Sequence, residues 1–168
     1  MLEEWFFWAY ERHQNVLSWY IRPLFLLPFC FFAYRRSLKG IAVVLLLLLS
    51  SMFWFSKPAV INPHVRQFLQ MEQDYLLGQW NLAKILMTLL VPGSLAALAY
   101  AFWKRSWLYG LLVLNLIAVL KIVWSIYFGG DSGFAVVAPA LTGLVLCNAV
   151  IAAALYWLRK KKQQPRQY

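Results

Sequence analysis

The 168 residues are 62% hydrophobic, 18% aromatic and 13% charged, with a formal net charge of +10 at pH 7. Soluble domains average about 45–50% apolar and roughly 25% charged residues, so a water-soluble fold of this size has no means of hiding so much apolar surface. An all-α bundle with lipid as its solvent is the fold class left. The basic excess does not point to nucleic acid, because the cations sit in short segments between apolar runs and in the tail rather than along one stripe.

The chain opens Met1-Leu2-Glu3-Glu4, acidic where a cleavable signal peptide is basic, so the first apolar segment is expected to stay in the mature protein. Residues 1–15 combine Trp5, Phe6, Phe7, Trp8 and Tyr10 with acids. That composition suits a helix lying in the membrane interface, and a straight extension of the first span fits equally well.

Crossing about 30 Å of hydrocarbon takes roughly 17–25 mainly apolar residues. Five segments come close: Val16–Tyr34, Gly40–Phe55, Lys84–Trp103, Ser106–Phe128 and Gly133–Leu158. The first is weakened by Arg22, Pro23 and Pro28 and also reads as half of a re-entrant hairpin; the second is short. The expectation is one membrane domain over 1–168, a polytopic bundle of about five spans.

Between the second and third spans, residues 57–83 form the one long loop. Asn62 is a good N-cap, Pro63 suits the first helical position and Gly78 suits the C-terminal stop. At 100° per residue Val65, Phe68, Leu69, Tyr75 and Leu76 share one face, the pattern of an amphipathic helix lying on the outer surface. Glu72 breaks the pattern by projecting from that apolar face.

Charge gives an orientation. Arg35, Arg36 and Lys39, then Lys104 and Arg105, then the basic tail 159–168 (Arg159, Lys160, Lys161, Lys162, Arg166) fall on one side of a five-span chain. All six acids, Glu3, Glu4, Glu11, Glu72, Asp74 and Asp131, fall on the other. Positive loops stay cytoplasmic, which places the N-terminus outside and the C-terminus inside a plasma membrane, of the bacterial inner-membrane kind. A four-span chain fits the loops less well.

An ionisable residue within a span is costly and therefore a functional candidate. Lys121 lies well inside the fourth span, about 10 Å below its outer end at ~1.5 Å per residue, and its side chain leans toward the helix N-terminus, away from the nearer exit. Pro92 and Ser94 of the third span and Pro139 and Thr142 of the fifth gather at similar depth. Each proline frees a carbonyl one turn earlier, at Thr88 and Ala135. Interrupted helices of this kind build substrate sites in transporters; they also merely kink bundles. Glu72 completes the candidate polar site if it pairs with Lys121, Lys84 or Arg22. Asn115 and Asn148 fall at one depth if the fourth and fifth spans are antiparallel neighbours, and form a candidate interhelical pair.

Cys30 and Cys147 sit in apolar runs and read as small core fillers; His13 and His64 stand alone, so no metal site and no cofactor are expected. No catalytic motif is found. The expected function is non-enzymatic binding or assembly, with the lipid bilayer, another membrane protein or a second copy of the chain as partner and no role for nucleic acid. A small transporter or channel built around Lys121 is the alternative, and a lipid-modifying enzyme using the outer helix is a third.

Overall fold

The structure, a computed structural model, describes residues 2–163. The side chains of Glu3 and Lys162, and all of Arg166, lie outside that description. Helix accounts for 87% of the described residues, and no strand occurs among them.

Helix α1 (Leu2–His13) ends at a turn where Asn15 takes over as the next cap, its Oδ1 accepting from Leu17 N at 3.1 Å. α1 is therefore a separate helix rather than an extension of the first apolar span. Helix α2 (Val16–Ile21) passes through a 3-10 turn, Arg22–Phe25, into α3 (Leu26–Tyr34). Pro23 sits in the first turn of that 3-10 segment, where its missing N–H does no harm.

Helix α4 (Leu38–Ser50) begins two residues earlier than expected because Ser37 caps it, accepting from Gly40 N at 3.1 Å, and it closes in a 3-10 turn at Ser51–Phe53. Helix α5 (Pro63–Leu77) carries the expected punctuation, with Asn62 accepting from His64 N at 2.9 Å. Helix α6 (Leu82–Trp103) starts at its Asn81 cap rather than at Lys84. Helix α7 (Trp107–Gly129) and helix α8 (Phe134–Gln163) are joined by a 3-10 turn, Gly130–Gly133.

Three stretches are long and apolar enough to cross a membrane: Val16–Tyr34, Leu82–Trp103 and the 55-residue Trp107–Lys161. A straight helix of that last length would reach roughly 80 Å at about 1.5 Å per residue. Instead it folds back as a hairpin, since Asn115 and Asn148 hydrogen-bond each other across it. The reversal depends on glycine twice. Gly130 takes φ 51°, ψ −131°, a region closed to other residues, and a Cβ at Gly133 would overlap the Ser125 backbone. The α4 stretch, Leu38–Phe53, is apolar but shorter.

α3 lies at the centre, against α4, α6 and α8. One core joins Phe29, Cys30 and Ala33 of α3 to Leu98 and Phe102 of α6, Leu114 of α7 and Cys147 of α8. A second core lies beneath α5, where Val65, Phe68 and Leu69 meet Tyr10, Trp19 and Val136. Arg36 Nε donates to the Trp103 carbonyl at 3.1 Å and the Arg105 guanidinium lies 5.7 Å from the Tyr34 ring centre, so two basic turns meet at one end. Glu11 pairs with Lys57 at 2.7 Å at the other, where α1 and α5 lie.

Candidate functional site

A cavity of about 390 Å³ opens at the α5 end, walled in part by the second core. α1 contributes Tyr10 and His13, the 3-10 turn Arg22 and Pro23, α5 Phe68 and Glu72, α7 Lys121, and α8 Pro139. Close packing sets its floor. Gly143 of α8 lies so near Pro23 that a Cβ there would overlap the proline ring, and Cys147 Sγ sits 3.6 Å from the Pro23 carbonyl oxygen. The turn is thereby pinned to α8, and Arg22 is held in the cavity.

A chain of hydrogen bonds fixes Arg22 further. Its Nη1 lies 3.0 Å from His13 Nε2. A guanidinium only donates, so Nε2 accepts and the imidazole proton resides on Nδ1, which donates to Ser18 Oγ at 3.1 Å. Ser18 donates its own proton to the Asn15 carbonyl at 2.8 Å, and Trp19 Nε1 donates to the His13 carbonyl at 2.9 Å. The electrostatics agree. Burial, followed by the charges of Arg22 and Lys121, pushes the His13 imidazole down to about 3, so it is neutral at physiological pH. Burial, followed by the Glu72 carboxylate, pushes the Tyr10 phenol up to about 12, so it stays protonated.

Lys121 Nζ lies 3.7 Å from Glu72 Oε1, with side-chain exposures of 49% and 25%. The same ammonium stands 5.4 Å from the Trp124 ring centre and 5.9 Å from that of Phe68. Among the described residues neither partner of this ion pair makes a hydrogen bond. The ionised groups of the lining are thus Arg22 and Lys121 against Glu72, one positive charge in excess.

Of the candidate polar site named from the sequence, the structure brings Glu72, Lys121 and Pro139 to this cavity, together with Arg22, named there as a partner for Glu72. Pro92, Ser94 and Thr142 do not reach it. Pro92 and Thr142 are exposed on the bundle's flank, and Ser94 Oγ donates to its own helix at Val91 O, 2.8 Å away. The α6 segment around Pro92 has no buried face, and a Cβ at Gly93 would meet nothing within 4 Å. Lys84 is not a partner of Glu72. Its Nζ donates to the Gly78 carbonyl at 2.9 Å and lies over the Tyr75 and Trp80 rings, capping the end of α5. Asn115 and Asn148 form a reciprocal amide pair at 3.1 and 3.2 Å, and each also donates to its own helix.

No protein-family model, curated protein or solved structure matches this chain.

Sequence reasoning undervalued Arg22, His13 and Tyr10. Arg22 is the second ionisable residue within a long apolar stretch and sits beside a proline, a usable signal. His13 carries no such signal, because its partners come from α2 and the 3-10 turn after it. No group of three or more His, Cys, Asp or Glu able to hold a metal occurs among the described residues.

Proposed function

We propose that this is a five-span membrane protein that works by binding a small ligand or headgroup in the cavity at the α5 end. In this reading α4 and its closing turn cross as a short member of the bundle, their ~24 Å length at ~1.5 Å per residue accommodated by local thinning of the bilayer. The basic turns face the cytoplasm, and the N-terminus and α5 face outward, following the positive-inside rule. Trp5, Phe7 and Trp8 of α1, all exposed, suit the outer interface of a plasma membrane.

One observation carries the binding reading: Arg22, Lys121 and Glu72 converge on one cavity, and its Pro23 wall packs against Gly143 and against Cys147 of the buried core. A cavity that ends against packed side chains binds; it does not conduct. A second reading, a transporter, is favoured by the helix interruption at the cavity itself, the 3-10 turn that begins at Arg22. Efflux from proteoliposomes loaded with chloride, phosphate or glutamate separates the two. The binding reading predicts rates equal to those of protein-free vesicles. Saturable efflux of any of these anions, abolished by Lys121→Gln, would replace it with the transporter reading.

A further inference from the structure

We propose that the cavity is a phosphate site, in which Arg22 and Lys121 together hold a phosphate group and Glu72 retains Lys121 at the mouth until that group takes its place. The inference rests on the binding reading and names its ligand class.

Charge comes first. The lining holds two cations against one carboxylate, and His13 adds nothing because its Nε2 accepts from Arg22. The cavity therefore favours an anion. The shape of the donors comes next. The Arg22 guanidinium commits one N–H to His13 and makes no other hydrogen bond among the described residues, so one nitrogen is anchored and its remaining donors are available. A guanidinium fork matches two oxygens of a phosphate or carboxylate. Lys121 reaches the same cavity from a different helix, and two cations from two directions suit an anion with oxygens on more than one side.

Lys121 is able to take part. Its contact with Glu72 at 3.7 Å is an ion pair without a hydrogen bond, half in solvent, of the kind that contributes little. Exchanging Glu72 for a phosphate oxygen loses little and gains charge-assisted hydrogen bonds. The Tyr10 hydroxyl, which bonds to no described residue and stays protonated, is a neutral donor to the same group. Trp19 and Phe68 form apolar walls, and Leu120 and Val123 beside Lys121 are exposed on the flank of α7. A phosphorylated amphiphile bound here has an apolar surface on which to lay its chains. A lipid headgroup and free phosphate share the same recognition chemistry.

The test is calorimetric titration of the full chain in maltoside micelles, which contain no phosphate. The probes are dihexanoylphosphatidic acid, dihexanoylglycerol as its phosphate-free counterpart, and inorganic phosphate. Saturable binding of the phosphatidic acid but not of the glycerol is expected, weakened about tenfold or more by Arg22→Gln and by Lys121→Gln, since a charge-assisted hydrogen bond is lost in each. Glu72→Gln is expected to tighten binding by removing the competing carboxylate, a gain that misfolding does not produce. Binding of phosphatidic acid alone assigns the source to lipid; binding of inorganic phosphate with the same dependence on Arg22 assigns it to solution. No saturable binding of either probe, affinity indifferent to Arg22→Gln, or no tightening by Glu72→Gln would overturn the proposal. Thiol labelling of Lys121→Cys, which needs no ligand, separates the two levels. A labelled cysteine without phosphate binding rejects the phosphate and leaves the cavity, whereas a cysteine protected from both faces rejects both.

Discussion

Gly143 and Gly93 are two glycines in long apolar helices, each one to four residues after a proline, and the structure predicts that replacing them by alanine has opposite consequences. A Cβ at Gly143 would overlap the Pro23 ring, which is backbone-locked and has no rotamer to yield. Either α8 or the Arg22–Phe25 turn must move. Forcing a methyl into packed structure costs about 1–3 kcal/mol, and the displaced turn carries Arg22 with it. A Cβ at Gly93 meets nothing within 4 Å. Alanine there relieves the helical cost of glycine, about 0.5–1 kcal/mol in water and less where lipid already enforces the helix. Unfolding of purified Gly143→Ala and Gly93→Ala in maltoside micelles, titrated with a denaturing detergent, measures both. The expected result is a clear loss of stability for Gly143→Ala and none for Gly93→Ala. Equal effects, or a stable Gly143→Ala, would refute the docking of the Pro23 turn on α8 and with it the placement of Arg22.

The contacts fix three more outcomes. A double-mutant cycle on Asn115→Ala and Asn148→Ala should give a coupling of about 0.6–2 kcal/mol, as for other interhelical polar pairs in membranes, measured in the same unfolding assay; zero coupling would mean the amides do not meet. His13 is held neutral in the fold with its pKa near 3, below the ordinary value of about 6.5. The undocked state therefore binds more protons between those limits. The contribution of His13 to α1 docking is complete above about pH 6.5 and falls by up to about 1.4 kcal/mol per pH unit toward pH 3. As the pH falls through that window, amide protection of residues 2–13, taken relative to the intrinsic exchange rate at each pH, should fall in the wild type and less steeply in His13→Phe. Lys84→Met should loosen the end of α5, raising amide exchange around Gly78, because the Gly78 carbonyl loses its donor.

The parts of this structure legible in the sequence are those governed by local chemistry. Asn62, Pro63 and Gly78 delimit α5 because caps and breakers act within a turn. The Gly-Gly-Asp-Ser-Gly turn makes α7 and α8 sequential antiparallel neighbours, so depth counted along each helix is enough to pair Asn115 with Asn148. Glu72 stands out because it interrupts an otherwise apolar face. Depth can be counted in the same way for Pro92, Ser94 and Thr142, but direction cannot. Whether a side chain faces a cavity depends on which helices stand beside its own, and the α6 segment near Pro92 stands apart. The centre of the site is hidden for the same reason. Tyr10 and His13 reach Arg22 only because the Gln14–Asn15 turn sends α1 back beneath α5, a tertiary arrangement that leaves no periodic trace.

The central claim is a cavity open to water at the α5 end and closed below. Lys121 and Leu114 lie two turns apart on one face of α7, the first in the cavity and the second in the buried core. With Cys30 and Cys147 replaced by alanine, Lys121→Cys and Leu114→Cys can be probed with a membrane-impermeant thiol reagent from each side of oriented vesicles. Rapid labelling of Lys121→Cys from the α5 side alone is expected, with protection of Leu114→Cys from both. Protection at both positions would mean there is no cavity, and labelling at both would mean an open path through the bundle.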